Sequence, residues 1–148
     1  MEIKRLEKSR IKEGLDLVWK VFCEFEAPEY SQDGIDEFKS FLDDKDKISQ
    51  LSVYGAFEKQ EIVGVIAMRK NHISLFFVKK EKHRQGIGKS LLKYALKDMD
   101  DKIYDGTVTV NASPYAVHIY KKLNFESVDV EQVVNGIRFT PMVYKGEV

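Results

Sequence analysis

The sequence predicts an α+β fold, a mixed but mostly antiparallel sheet of about six to seven strands flanked by about four helices. Three observations predict it. Apolar residues recur at spacings of three and four over residues 11–25, and from residue 51 the period changes to alternation. From residue 73 a strand, a basic loop and a helix opened by two glycines then follow one another, the order that places a helix against a sheet. The 148 residues suit one domain, expected to span 1–148.

Residues 2–6 read as a short strand, and Ser9 as the cap of the first helix. Ile11, Leu15, Val18, Phe22 and Phe25 form that helix's apolar face, and the helix must end before Pro28. A second helix follows Asp33-Gly34, with Ile35, Phe38 and Leu42 inward, and the charged stretch 43–47 reads as a solvated connection. Residues 51–57 and 62–68 make a hairpin around a polar turn at 58–61, and 73–78 is apolar enough to be a central strand. The loop 79–85 leads into a helix over 86–99, with Ile87, Leu91, Leu92, Ala95, Leu96 and Met99 facing the core. A strand at 103–111 precedes a helix opened by Ser113 as cap and Pro114 at its first position. Asn124, suited to left-handed backbone, closes that helix, and 125–129 with 137–144 form the last pair of strands.

Composition narrows the function. Twenty-four Lys plus Arg balance 24 Asp plus Glu, so the basic excess of a general nucleic-acid binder is missing. The 43% hydrophobic and 32% charged fractions suit a globular chain, and no apolar run approaches the ~20 residues that span a bilayer. The first ten residues are charged and do not resemble a signal peptide, so a cytoplasmic, membrane-free protein is expected. A single cysteine, Cys23, precludes an internal disulfide, and His72, His83 and His118 show no metal-ligand spacing, so no metal is expected.

The chemistry concentrates in residues 78–90, where a strand feeds a basic loop and two glycines open a helix. Free N–H groups and the dipole at a helix start favour an anion, and glycines let the backbone approach a phosphate closely. A P-loop would need glycine where His83 stands, although Gly88-Lys89-Ser90 fits its end; a Rossmann fingerprint would need glycine at Leu91. Both patterns fail on a required residue. Of the basic residues, Arg84 and Lys89 are the candidates to meet phosphate.

Here the sequence resembles the GCN5-related N-acetyltransferase (GNAT) superfamily. The family's acyl-CoA loop, Q/R-x-x-G-x-G/A after a central strand, stands as His83-Arg84-Gln85-Gly86-Ile87-Gly88, with His83 departing from the pattern at the first position. The segment 111–125 looks like the family's N-x-S-x-x-A-x-x-x-Y-x-x-L-G-F, with Asn124 in place of its glycine. The detailed likeness covers residues 73–125.

The resemblance implies acetyl-CoA as cosubstrate, held by the strand end Phe76, Phe77 and Val78 and by residues from His83 through Gln85, Gly86, Ile87, Gly88 and Lys89 to Ser90. It implies that Asn111 hydrogen-bonds the pantetheine arm, that the Val78 N–H meets the oxyanion, and that Tyr120 protonates the departing thiolate. The implied acceptor is a small-molecule or peptide primary amine, walled by the region between the first two helices. Glu26, Glu29 and Tyr30 in that region would favour a cation, while Glu24, Glu26, Glu29, His72, His118 and water all stay open as the general base. The alternative function is a non-catalytic acyl-CoA-binding module of the same fold, and a homodimer also stays open because relatives are often dimers.

Overall fold

A computed structural model describes residues 1–99 and 104–145. Its elements are β1 (Glu2–Arg5), α1 (Ile11–Phe25), α2 (Gln32–Asp43), α3 (Lys45–Ser49), β2 (Ser52–Glu58), β3 (Glu61–Arg69), β4 (His72–Val78), α4 (Ile87–Asp98), β5 (Thr107–Ala112), α5 (Val117–Lys122), β6 (Phe125–Ser127), β7 (Gln132–Val134) and β8 (Ile137–Lys145). The strands run in the order β1-β2-β3-β4-β5-β8-β6, and β7 pairs with the first residues of β8. Every pairing is antiparallel except β4 with β5. Among the described residues the sheet has eight strands, slightly more than the sequence predicts.

Strand alternation divides the core into two layers. Tyr54, Ala56, Ile66, Met68 and Ile73 meet Ile87, Leu91, Leu92 and Ala95 of α4 on one face. Val53, Phe57, Val65, Ala67, Leu75 and Phe77 meet Leu17, Val18, Val21 and Phe22 of α1 on the other. β3 is buried from Ile62 to Met68, as expected of a strand covered on both faces. Each fully buried Val, Leu, Ile or Phe contributes about 1.5–3 kcal/mol.

The departures from the sequence reading are local. Ser9 does not cap α1: it lies in a 3-10 turn, Lys8–Arg10, whose helical backbone runs straight into α1 without an extended capping residue. The buried stripe of α1 is Gly14, Leu17, Val18, Val21 and Phe22, rotated from the predicted face because the sheet meets the helix along Val18 and Phe22; Ile11, Leu15 and Phe25 are only partly buried. Ser31 caps α2 by accepting from the Gly34 N–H at 3.3 Å. The stretch 43–47 is not merely a connection, since Asp44 accepts from the Lys47 N–H at 3.1 Å and starts α3. Ser113 begins a turn and α5 itself begins at Val117. β7 was not predicted; its valines are exposed and it pairs only with β8. Ile103, placed in a strand by the sequence reading, lies outside the described residues, and β5 begins at Thr107. Asn124 has the expected left-handed backbone, φ 72°.

Candidate active site

The site begins where two strands part. The parallel pairing of β4 with β5 consists of His72 with Thr109 and Ile73 with Val110, yet β4 runs on to Val78. Its last five residues therefore have an open edge toward β5. Lys79 donates its N–H to Val63 O at 2.8 Å on the β3 side, so alternation turns the Val78 N–H and C=O toward the open edge. His83 Nε2 lies 2.7 Å from Val78 O; a carbonyl only accepts, so Nε2 carries the proton. That contact occupies the carbonyl and leaves the adjacent N–H facing the opening.

After β4 the chain makes a 3-10 turn, Lys80–Lys82, and reaches α4 through left-handed backbone at Arg84 (φ 63°) and Gly86 (φ 78°). Lys79 and Lys82 pair with Glu61 and Glu58 of the β2–β3 hairpin and tie the loop to it. Gly86 is the N-cap of α4, no side chain caps the helix, and a Cβ there would meet nothing within 4 Å. Glycine relieves the backbone at that point, and the first N–H groups of α4 keep no capping partner.

A cavity of about 480 Å³ opens over this helix start. Phe76, Phe77, Val78, His83, Arg84, Gly86, Ile87, Gly88, Lys89 and Tyr120 line it, as do Phe25, Tyr115 and His118. Lys82, Arg84, Lys89 and Lys122 give it four cationic side chains, against one carboxylate, Glu26. Such a wall suits a polyanion. Lys82, Tyr115 and Lys122 were not singled out from sequence; Lys122 stands one turn beyond His118, a spacing that becomes informative only once the packed face of α5 is known.

A second cavity, of about 300 Å³, lies on the α2 side of β4. Tyr30, Phe38, Phe41, His72, Ser74, Asn111, Ser113 and Ile137 contribute to its wall. Both cavities share Glu26, Phe76, Phe77, Ala116 and Tyr120. They meet, then, at one carboxylate and one phenol.

Glu26 follows the last residue of α1, where the backbone turns into the 3-10 segment Ala27–Glu29. Burial pushes its carboxyl up to about 7; the Ser113 hydroxyl hydrogen-bonded to it pulls the other way, and the charge of Glu29 adds to the rise. Ser113 Oγ accepts from the Ala116 N–H at 3.2 Å, which leaves its hydroxyl proton for Glu26. Tyr120 is 7% exposed, its ring edge-on to Phe76 and Phe125 at 6.0 and 5.1 Å. Burial, and then the charge of Glu26, hold its hydroxyl protonated well above the usual tyrosine range.

Some predicted residues stand elsewhere. Asn111 lines the second cavity, not the first. Gln85 turns back to donate to Glu81 O at 3.3 Å, and neither Gln85 nor Ser90 lines the first cavity. Tyr30 lines the second cavity and donates to Arg138 O at 3.3 Å; Glu29 lines neither cavity, and its carbonyl accepts from Arg138 Nη1 at 3.2 Å. His72 Nδ1 is 2.8 Å from Thr109 Oγ1, and burial followed by the charge of Arg69 pushes the imidazole below its usual range. Among the described residues no three His, Cys, Asp or Glu side chains gather in a way that could hold a metal ion, and no helix is long and apolar enough to cross a membrane.

Solved structures share this arrangement of elements. A GCN5-related N-acetyltransferase structure from Rhodopseudomonas palustris superimposes with a TM-score of 0.80 at 18% identity, covering 97% of this chain and 94% of that one. The PaiA N-acetyltransferase of Thermoplasma acidophilum, solved in complex with coenzyme A, gives 0.71 at 22% identity, with 97% and 98% covered. An aminoglycoside 6'-N-acetyltransferase complexed with coenzyme A gives 0.63 at 14%, with 97% and 96% covered. At these identities the likeness is one of fold. The model of the acetyltransferase (GNAT) domain family, however, matches residues 26–145, which include Glu26, Tyr120 and most of both cavity walls; the chain belongs to that family.

Proposed function

We propose that the protein transfers the acetyl group of acetyl-CoA to a primary amine, which attacks the thioester directly. The observation that carries this reading is the meeting of a cation-lined cavity and a second, separate cavity at Glu26 and Tyr120. Acetyl-CoA occupies the first, its phosphates against the α4 start with Arg84 and Lys89, its thioester toward Val78. The amine enters the second.

An amine with a pKa near 10.4 is only about 0.04% neutral at pH 7, so the site needs a base. Glu26, with a carboxyl that titrates at about 7, takes that role and passes the first proton to solvent. The neutral nitrogen then forms the C–N bond, and the Val78 N–H stabilises the oxyanion. As the C–S bond breaks, Tyr120 gives its proton to the thiolate and Glu26 takes the remaining proton from nitrogen. Products are the amide and free CoA thiol. Holding both reactants in line supplies up to about 7–11 kcal/mol, and acid–base help on the order of 10²–10⁴-fold.

Calorimetric titration with acetyl-CoA, with ATP as control, followed by thiol release on an amine panel, tests the reading. Micromolar acetyl-CoA binding, silent ATP and amine-dependent thiol release are expected. Tight acetyl-CoA binding with no amine turnover would leave the non-catalytic module.

A further inference from the structure

We infer that the acceptor is a small monoamine on an apolar or aromatic body, seated in the second cavity with its nitrogen toward Glu26. The inference rests on the proposed reading of that cavity as the amine side. It comes from the charge, chemistry and rigidity of this chain's own wall, since the fold likeness does not carry an acceptor.

Charge sets the number of ammonium groups. Glu26 is the one carboxylate at the inner end. Glu37 and Lys47 also line the cavity, but both are exposed, so they stand at its solvent edge, where their charges offset each other. His72, with its affinity for a proton lowered by burial, adds no cation. One ammonium is matched by Glu26 at the inner end, while a second would meet neutral groups there, Ser74, Asn111 and Tyr30 among them, in place of a carboxylate.

The wall sets the body. Phe38, Phe41, Leu75, Phe76, Phe77 and Ile137 supply its apolar surface. Phe38 is fixed by stacking on Phe22 at 4.0 Å and by Phe77 at 6.0 Å. Phe41 is half-buried and lines the cavity with no ring partner among the described residues, so a bound ring or alkyl chain would cover it. At about 300 Å³ the cavity is at the small end of ligand pockets.

The wall does not stretch easily to admit more. The start of α2 is pressed on the β7–β8 turn so closely that a Cβ on Gly34 would overlap the Gly136 carbonyl. The Tyr30 hydroxyl donates to Arg138 O, and Arg138 Nη1 donates to Glu29 O, across the same junction. That junction stands beside Tyr30 and Ile137 of the wall and holds that side of the cavity in place.

The experiment compares 2-phenylethylamine, spermidine, an aminoglycoside and a lysine-containing peptide, by thiol release and by calorimetric binding to the CoA-saturated protein. The phenylethylamine kcat/KM is expected to exceed each of the others at least tenfold. Preference for spermidine, the aminoglycoside or the peptide would overturn the acceptor class while leaving acetyl transfer intact. Phenylethylamine binding without turnover would do the reverse, sparing the cavity's specificity and sinking the transfer reading. Absence of phenylethylamine binding would overturn the inference. Phe41→Ala should raise KM for phenylethylamine about tenfold, and an unchanged KM would take Phe41 out of the pocket. Lys47→Glu should raise the spermidine kcat/KM severalfold, and no rise would remove the charge argument.

Discussion

The two cavities are built in opposite ways. The cation-lined one draws most of its wall from two short runs of chain, 76–89 and 115–123. The features that suit it to an anion are local, a strand end, left-handed backbone at Gly86 and an uncapped helix start. The second cavity collects α2, β4, β5 and the start of β8, elements separated by up to about a hundred residues. One side of it is held by contacts between segments far apart in the chain, the Gly34 backbone against that of Gly136 and the Tyr30 hydroxyl on the Arg138 carbonyl. A cosubstrate that is always the same can be met by a contiguous motif, whereas an acceptor surface assembled from separate elements can change one wall at a time.

The largest expected effect tests the contiguous side alone. Gly86→Glu strains the left-handed position and sets a carboxylate in the open space before the helix start. Acetyl-CoA affinity should fall at least ~100-fold, a loss of about 2.7 kcal/mol, by calorimetry on a protein with unchanged circular dichroism. Unaltered affinity would remove the loop from phosphate binding.

The next acts where the cavities meet. Glu26→Gln should lower kcat about 100-fold at pH 7.5 and abolish the rise of rate with pH through about 7 that the wild type should show. Acetyl-CoA affinity should change little. The same variant carries a stability signature. Because the folded-state value is raised, the folded protein keeps the Glu26 proton between about 4.5 and 7 while the unfolded chain loses it. Wild-type stability therefore falls as pH rises through that window, by on the order of 3 kcal/mol, and the glutamine variant should not show that fall. Denaturant melts at pH 5 and pH 8 measure it; parallel curves for the two proteins would contradict the buried carboxyl.

Tyr120→Phe should reduce turnover at least tenfold, about 1.4 kcal/mol in barrier, with acetyl-CoA affinity retained. Wild-type turnover would leave Tyr120 a packing residue between Phe76 and Phe125. The smallest effect concerns the rim. Lys122→Gln should weaken acetyl-CoA binding about two- to fivefold, more at low salt than at high, as befits an exposed cation. No salt dependence would separate Lys122 from the phosphates.

The strand–loop–helix unit at 72–98, the β2–β3 hairpin and the left-handed Asn124 were all legible, because period and glycine placement act over a few residues. Helix starts were less so. Ser9 has the chemistry of a cap, but the 3-10 turn around it carries helical backbone into α1, and Asp44 caps a helix in a stretch whose charge suggested solvated coil. β7 has no buried face to impose a pattern on its residues.

For the site the division is sharper. The sequence by itself placed two glycines at a helix start after a central strand, a pattern that favours an anion, and set Tyr120 in a segment that resembles the family's. It also placed Glu24, Glu26, Glu29, His72 and His118 as open choices for the base. Only the tertiary structure gives a ground for the proposed choice of Glu26: it brings the end of α1 beside Ser113 and Tyr120, sets that half-buried carboxylate where the two cavities meet, and pushes its carboxyl up to about 7. Desolvation depends on everything packed around a group, and here those neighbours lie as much as 94 residues along the chain, at Tyr120; no local pattern around Glu26 records them.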